Sequence, residues 1–443
     1  MNQALPATMI TQLEALGVAL VATAKEHRDA SLKTLEQAVL DEVRAVLPRL
    51  LEEVIQASTS NLHAPESYWQ QRCPNCGKRT LAQGWRKRTV TTICGLVKFE
   101  RPWFVCHSCQ HGFSPVDSTL GLEPRMRLSY GLREWIIDLG GRTSFAEAAG
   151  CLERLTGLSV SPETVRQKTE GYGNELETAQ QKASEQVAKT QQAAAPLDPA
   201  PGMLLVETDG VMVRYLDGWH EVKLGLVAGH QGGKMVSPSY IAARMSPDSF
   251  GPRLLAEAAR RGALEVVAWK GPVTQRGLAV LREVIVLGDG ALWIWNLAAE
   301  HFGERTEIVD FYHASEHIWT VAKALWGEGT AEAKAWAGER IKELFGHSVE
   351  KVQGELAKAK GESPEQAETL RQQREYFRKN ALRMDYPAFR ARGLPIGSGA
   401  VESSAKNLVQ QRMKRPGARW SEYGAQAVLN VRGRLLSQLP LAS

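Results

Sequence analysis

Two pairs of cysteines constrain the fold of this chain more than any other feature of its sequence. The first pair, Cys73 and Cys76, lies in CPNCGKRT, and the second pair, Cys106 and Cys109, lies in FVCHSCQHGFSP. The residues between them, WRKRTVTTICGLVKFERPWF, alternate in polarity as a β-hairpin does. Four thiolates satisfy tetrahedral zinc, and a two-residue spacer lets one tight turn present two sulfurs. We therefore predict a zinc ribbon that holds structural Zn²⁺ with no open coordination position. The alternative is free cysteines in a small β unit.

Length and composition set the scale and the expected compartment. The chain has 443 residues, six cysteines and a net charge of +5. This length suffices for about two to four domains. The N-terminus lacks the basic segment of a signal peptide, and we expect no apolar stretch of the roughly 20 residues that a membrane span needs. We predict a cytoplasmic protein with no membrane partner, in which paired cysteines favour metal over disulfides. Any nucleic-acid surface must then come from local clusters of basic residues.

A helix-turn-helix is predicted within residues 125–172. Gly157 would end one helix, and Ser161 is a good N-cap for the next. If the second helix entered a major groove, its first turns would bring Arg166, Gln167 and Lys168 to the DNA. A plain helical hairpin is the alternative.

The C-terminal half combines strands and helices. MLLVETDGVMVRYL predicts a strand that contains Asp209, and two antiparallel-looking strands follow it. A β-branched run over 284–287 predicts a buried strand that ends at Asp289. Another strand ends at Asp310, and Glu402 lies later, on a helix behind a Gly-Ser-Gly turn. Three antiparallel strands followed by strand–helix units indicate a mixed α/β sheet.

Asp209, Asp289 and Glu402 are candidate metal ligands. Carboxylates without a nearby thiolate or histidine cluster suit Mg²⁺ or Mn²⁺, and two such ions would assist an in-line phosphoryl displacement. Two alternatives stay open at this point. Asp289 alone is equally consistent with a turn aspartate that caps the next helix. Glu207 faces the same side of its strand as Asp209 and is a competing ligand or a supporting acid.

Four motifs carry a resemblance to a known family: VETDGV, VLGDGALWIW, DFYHASEHIW and GSGAVESSAKNLVQQRMKRPGARW. With them the chain resembles the DDE transposases of bacterial insertion sequences, and most of all the ISKra type, which is related to the Mutator-like group. The likeness extends from the cysteine pairs to the C-terminus. It implies that Asp209, Asp289 and Glu402 form the metal-binding triad. It also implies that Asp310 and His313 match an accessory D-x-x-H element, for which a structural hydrogen bond is the alternative role.

The resemblance implies a DNA transposase. Cleavage at the ends of the insertion sequence would free a 3′-hydroxyl, which would then attack target DNA. The partners would be double-stranded DNA at the element ends and at the target, and a second copy of the chain, since two ends must be synapsed. An RNase H-like nuclease without strand transfer and a catalytically dead DNA-binding regulator remain alternatives. The basic residues that would hold DNA phosphates near Glu402 are Lys406, Arg412, Lys414, Arg415 and Arg419.

The predicted fold class is α/β, with helical, zinc-ribbon and helix-turn-helix segments before the mixed sheet. The resemblance implies that this sheet is an RNase H-like catalytic core with an all-helical insertion. The expected segments are an N-terminal helical arm over 1–62, a zinc ribbon over 66–118, a helix-turn-helix-like domain over 119–178, a linker over 179–201, the catalytic core over 202–325 and 391–443, and the helical insertion over 326–390.

Overall fold

The computed structural model describes residues 7–63, 71–190, 203–262, 283–397 and 399–441. Its contacts divide the chain into two compact units, one ending at Lys168 and the other beginning at Thr169. Composition predicts a boundary near residue 201 instead. The division falls earlier because most of the helix Pro162–Thr190 belongs with the C-terminal unit, where Glu177 forms an ion pair with Arg253. Residues 179–190 of the predicted linker are therefore helical, and residues 191–201 lie outside the described residues.

The N-terminal unit begins with two helices, α1 (Ala7–Glu26) and α2 (Leu32–Ser58). Ser31 caps α2 by accepting the Thr34 backbone N–H at 3.3 Å. By length and composition alone α1 also qualifies as a membrane span, with a mean hydropathy of 1.4. This differs from the expectation, because Glu14 is the only charge between Ala7 and Ala24. A single such helix is weak evidence for a membrane span, so the cytoplasmic location stays a prediction.

A small antiparallel sheet follows and confirms the predicted hairpin. Its strands are β1 (Leu81–Thr92), β2 (Gly95–Val105) and the short β3 (Gly112–Phe113). The sheet buries Val90, Val97 and Phe99 together with Val116 of the short helix α3 (Pro115–Thr119). Leu51 and Ile55 of α2 pack against this cluster, so the arm and the ribbon share one core.

Three helices complete this part of the chain, and they confirm the predicted helix end at Gly157 and the predicted helix start after Ser161. They are α4 (Tyr130–Arg142), α5 (Phe145–Thr156) and α6 (Pro162–Thr190). Gly157 ends α5 in a left-handed conformation at φ 73°, which glycine adopts without strain. Ser161 accepts the Thr164 N–H at 3.1 Å at the start of α6. Leu132, Leu152 and Val165 join the three helices in one buried cluster.

The C-terminal unit contains the predicted mixed sheet. Its elements are β4 (Met203–Tyr215), β5 (Gly218–Gln231), β6 (Lys234–Ala243), α7 (Pro247–Arg260), β7 (Val284–Gly288), α8 (Leu292–His301), β8 (Arg305–Val309) and α9 (Phe311–Trp326). The strand order is β6-β5-β4-β7-β8, in which β4, β5 and β6 are antiparallel and β7 and β8 run parallel to β4. β7 is buried along its whole length, as its β-branched sequence predicts. Helices α7, α8 and α9 contribute to the core of the sheet.

Residues 328–380 are helical, as predicted, and they pack onto the same core. Leu344, Leu370 and Phe377 are buried there, and the Tyr386 hydroxyl donates to the Val309 carbonyl at 3.0 Å. The helices are α10 (Ala331–Gly346), α11 (Val349–Lys358), α12 (Pro364–Asn380) and α13 (Tyr386–Ala391), with a 3₁₀ turn at Ala381–Arg383.

The chain ends with two helical elements. α14 begins as Gly399–Ser404, continues as a π-helix over Ala405–Gln410 and ends as Gln411–Met413. α15 (Glu422–Leu436) follows. Ser398 of the predicted Gly-Ser-Gly turn lies outside the described residues.

Candidate active site and candidate metal centre

Strand register brings the two predicted aspartates together at one edge of the large sheet. β4 and β7 are parallel neighbours in which Glu207 pairs with Leu287. Asp209 and Asp289 each follow that pair by two residues. Because adjacent strands lie about 4.8 Å apart, the topology places two carboxylates side by side from distant parts of the chain.

A third carboxylate reaches this edge from β8. Val309 pairs with Gly288, so Asp310 follows β8 at the level where Asp289 follows β7. A cavity of about 220 Å³ opens at the edge, and all three predicted triad acids and both residues of the predicted D-x-x-H element line it. Four further side chains, which sequence reasoning did not assign to the site, line the cavity: Thr208, Tyr312, Glu316 and Val401. Glu316 is an exposed residue on a helix, and no sequence pattern indicated that it lines the cavity.

Asp289 occupies a rigid turn as well as the cavity wall. Its Oδ1 accepts the Ala291 N–H at 2.8 Å, as a turn aspartate would. The Tyr376 hydroxyl donates to the Asp289 carbonyl at 3.0 Å. Gly290 has φ 102°, and a Cβ there would lie 2.8 Å from the Tyr376 ring. The turn role and the site role are therefore compatible, because the turn holds the carboxylate at the cavity.

The surroundings of Asp209 disfavour its charged form. Burial raises its pKa, and the nearby charge of Asp289 raises it further, although the Gly210 N–H donates to its Oδ1 at 2.7 Å. The positive charge of His313 acts in the opposite direction. A carboxylate whose charged form is disfavoured by burial and by a neighbouring acid is stabilised by a bound cation. The donor set of oxygens fits a hard divalent ion such as Mg²⁺ or Mn²⁺.

Glu402 reaches the cavity from the first turn of α14. Its side chain is 70% exposed, and its Oε1 accepts from Lys406 Nζ at 3.0 Å, one helical turn away. Lys406 is one of the residues predicted to hold DNA. This lysine therefore lies beside the candidate site and neutralises part of its charge.

Glu207 is buried behind the cavity and does not line it. Its side chain is 1% exposed, and its Oε2 accepts the Val401 N–H at 2.7 Å. Burial raises the pKa of Glu207 to about 8, and the charge of Asp310 contributes. Of the two roles left open for Glu207, its position fits a supporting acid for α14 rather than a ligand.

Asp310 and His313 are joined through the backbone. Asp310 caps α9, because its Oδ1 accepts the His313 N–H at 2.6 Å. The His313 ring lies 3.6 Å from Glu316 and packs edge-on against His317. His317 stacks on Tyr376 with ring centroids 3.6 Å apart, and burial lowers its pKa. The hydrogen bond between Asp310 and the His313 backbone is therefore structural. Both side chains nevertheless line the cavity.

The predicted DNA-contacting residues divide into buried, paired and exposed groups. Arg412 is 4% exposed and lies over the Trp420 ring at 4.8 Å, so its assignment to a DNA surface is corrected to a core role. Trp420 is also buried and donates to the Met413 carbonyl. Arg166 and Gln167 both donate to Glu163 on the same helix. Lys414, Arg415 and Arg419 line a second cavity of about 370 Å³, together with two residues that sequence reasoning missed, Arg214 and the 58%-exposed Trp219.

The four predicted cysteine ligands form one cluster in the N-terminal unit. Their sulfurs all lie within 4.8 Å of one another. The Cys73–Cys109 and Cys76–Cys106 sulfur distances are each 3.5 Å, close to the roughly 3.8 Å that tetrahedral zinc bonds of about 2.3 Å require. The His111 backbone N–H lowers the pKa of Cys109 to about 6, which favours the thiolate form that binds metal. This cluster is suited to a structural metal such as zinc.

The two cysteine turns repeat the same backbone geometry. The Gly77 N–H donates to the Cys73 carbonyl at 2.9 Å, and the Gln110 N–H donates to the Cys106 carbonyl at 2.8 Å. Both residues have positive φ, 72° for Gly77 and 59° for Gln110. Gln110 therefore adopts the left-handed backbone conformation in the second turn that Gly77 adopts in the first.

A mixed sheet with carboxylates at one edge, and a separate four-thiol cluster, define a two-unit α/β protein with two candidate metal centres. The model of the Uncharacterised protein family UPF0236 matches residues 29–437, so the chain belongs to that family. A relative described as "UPF0236 protein in vanSb 3'region", from Streptococcus gallolyticus, is 25% identical over 369 residues, which cover 79% of this chain and 74% of the relative.

Among solved structures, a crystal structure of NurA matches at 15% identity with a TM-score of 0.10. The match covers 63% of this chain and 63% of that chain.

Proposed function

We propose that this protein is a DNA transposase of the DDE type, with an RNase H-like catalytic core. One observation carries the proposal: Asp209, Asp289 and Glu402, predicted as a triad, line one cavity although they belong to three separate elements. The sheet order, with three antiparallel strands and then two parallel strand–helix units, supports the RNase H-like assignment. The helices over residues 328–380 occupy the place of the expected helical insertion before Glu402.

Asp209, Asp289 and Glu402 would hold Mg²⁺ or Mn²⁺, in keeping with the two-ion site that the resemblance implies. When bound, such ions stabilise the attacking and the leaving oxygens of a phosphodiester. The backbone N–H groups of Gly210 and Ala291 each occupy one carboxylate oxygen, of Asp209 and of Asp289, so the chain orients both groups before a ligand arrives. Lys406, beside Glu402, would attract a DNA phosphate to the cavity.

The proposed partners are double-stranded DNA, at element ends and at a target, and a second copy of the chain. Lys414 and Arg419 are exposed next to α14, which supports DNA bound near the cavity. Apolar side chains on α1 are exposed, Val18 by 71% and Val21 by 56%, which supports self-association through the helical arm. A dimer would bring two DNA ends together.

Cleavage and strand transfer test this proposal directly. The full chain would be incubated with Mg²⁺ and duplexes made from the DNA that flanks its reading frame. Asp289→Asn should reduce cleavage by about 100-fold or more, because metal catalysis supplies several kcal/mol and each 1.4 kcal/mol is a factor of ten. Asp248→Asn, a change of the same type at an exposed position on α7, should cleave as the parent does.

The products separate the remaining possibilities. Nicked and joined DNA, both absent with Asp289→Asn, support a transposase. Nicking without joined product would replace the proposal with a nuclease. Metal-independent DNA binding with no cleavage, even with Mn²⁺, would leave a DNA-binding regulator. Full-rate cleavage by Asp289→Asn would overturn the triad.

A further inference from the structure

A basic pocket in the N-terminal unit is separate from both candidate metal centres. Residues 123–128, the first turns of α4 and the first turns of α6 enclose a cavity of about 590 Å³. Four cationic side chains line it: Arg125, Arg127, Arg133 and Lys168. Of these four, only Lys168 was predicted from the sequence to contact DNA.

The positive charge of this pocket is not neutralised within the protein. None of the four cationic side chains forms an ion pair or a hydrogen bond in the part of the chain that the structure describes. The one acid in the lining, Glu123, accepts a hydrogen bond from the Tyr130 hydroxyl at 2.8 Å. By contrast, Arg101 in the ribbon is buried, and its charge is neutralised by an ion pair with Asp117 at 2.6 Å.

Hydrogen bonds from Arg88 fix the backbone of residues 123–126, which form one wall of the pocket. Arg88 donates to the carbonyls of Glu123 at 2.7 Å and Met126 at 3.0 Å. Met126 is 9% exposed and anchors the loop. Arg125 has φ 61°, a left-handed conformation that costs a non-glycine residue about 1–2 kcal/mol. Such strain persists only where the surroundings impose it, so the loop has one defined shape.

Arg133 is positioned before any ligand binds. Its guanidinium lies 5.3 Å from the centre of the Tyr130 ring, which holds it by a cation–π contact. Its Nε is buried and has no hydrogen-bond partner among the described residues. An unsatisfied, buried guanidinium nitrogen at the wall of a cationic cavity calls for an anionic acceptor.

We propose that this pocket binds backbone phosphates of double-stranded DNA. Guanidinium groups match phosphate oxygens with two parallel N–H donors, and Thr164 adds a hydroxyl from the start of α6, whose N-terminus attracts anions. A pocket lined by donors and cations offers little to distinguish bases, so it would position DNA rather than select its sequence. The inference rests on the proposed function only in taking DNA as the partner of α6.

Salt dependence of DNA binding tests the pocket. The full chain would be titrated onto a short fluorescein-labelled duplex over a series of NaCl concentrations, with fluorescence anisotropy as the signal. Arg127→Gln and Arg133→Gln should each weaken binding on any duplex sequence. Each should also reduce the slope of the logarithm of the binding constant against the logarithm of the NaCl concentration. The reduction should be about 1 for each DNA phosphate that the variant no longer neutralises.

Arg142→Gln is the matched control. Arg142 lies on α4 like Arg133, but it is already paired with Asp138 at 2.9 Å and does not line the pocket. Its variant should keep the parent slope. Circular dichroism would establish that each variant is folded.

The outcomes separate this inference from the proposed function. The proposal that the pocket binds DNA would be wrong if the folded Arg127→Gln and Arg133→Gln variants kept the parent affinity and slope. This holds whether or not the protein cleaves DNA. Reduced slopes with no cleavage by the parent chain would retain the pocket and reject the transposase. Weaker binding on only one duplex sequence would also overturn the proposal, because phosphate contacts are independent of sequence.

Discussion

Glu207 illustrates how one buried residue can support a site without taking part in it. Its carboxylate lies between the sheet and the start of α14, where it accepts the Val401 N–H. Val401 is itself 3% exposed, so no water replaces that bond. Glu402 is the next residue, and its direction into the cavity depends on where α14 begins. Glu207 is therefore a positioning residue.

Removing the Glu207 oxygen that accepts the Val401 N–H should destabilise the protein, whereas a substitution that keeps an acceptor oxygen should not. Glu207→Ala leaves the Val401 N–H buried and unpaired, which should lower the free energy of unfolding by about 1–3 kcal/mol. Cleavage should fall with it. Glu207→Gln keeps an acceptor oxygen and should restore both properties. Urea denaturation and the cleavage assay measure this pair, and equal loss in Gln and Ala would show that the charge, rather than the hydrogen bond, is needed.

The cysteine turns show how a small element is held together when its apolar core is small. The ribbon buries only a few large side chains between β1, β2 and α2. Two tight turns compensate by presenting four sulfurs at one point. A metal bound there contributes directly to folding, because the unfolded chain has no such site.

Loss of one sulfur should therefore affect the whole ribbon. Cys73→Ser should reduce bound zinc below one ion per chain and lower the thermal stability of the N-terminal unit. Cys94→Ser is the control, since Cys94 lies in the β1–β2 turn outside the cluster. Elemental analysis by mass spectrometry and a thermal melt measure both effects. Full zinc content in Cys73→Ser would contradict the four-sulfur assignment.

At the scale of the whole molecule, the two units have separate cores and separate candidate metal centres. The ribbon and helical clusters lie before Lys168, and the large cluster of the mixed sheet begins at Leu204. The four-sulfur cluster belongs to the first unit and the carboxylate cavity to the second. If the proposed Mg²⁺ site is correct, each bound metal should stabilise its own unit.

Calorimetry should resolve two unfolding transitions that respond to different ions. A zinc chelator should lower the midpoint temperature of only one transition, that of the N-terminal unit. Mg²⁺ at 100 times its dissociation constant should stabilise the other by about 2.7 kcal/mol, because a ligand that binds only the folded state shifts the equilibrium by mass action. Asp209→Asn should abolish the Mg²⁺ effect and leave the chelator effect unchanged. A single transition that both ions move would contradict two independent units.

Local patterns in the sequence determined much of the fold. The C-x-x-C spacing predicted the sulfur cluster, Gly157 and Ser161 predicted the helix ends, and the run over 284–287 predicted a buried strand. These features depend on residues within a few positions of one another, where backbone geometry and apolar spacing act directly. The motifs of the resemblance predicted Asp209, Asp289 and Glu402 as the metal-binding triad.

Only the tertiary structure decided which side chains meet. Asp209 and Asp289 are neighbours because β4 and β7 pair in parallel register, and no local pattern encodes that pairing. Arg412 has the charge of a DNA contact but lies buried against Trp420. Arg127 and Arg133 share a cavity with Lys168 across the helical cluster. Charge and chemistry are properties of single residues, whereas burial and convergence arise from contacts between distant parts of the chain.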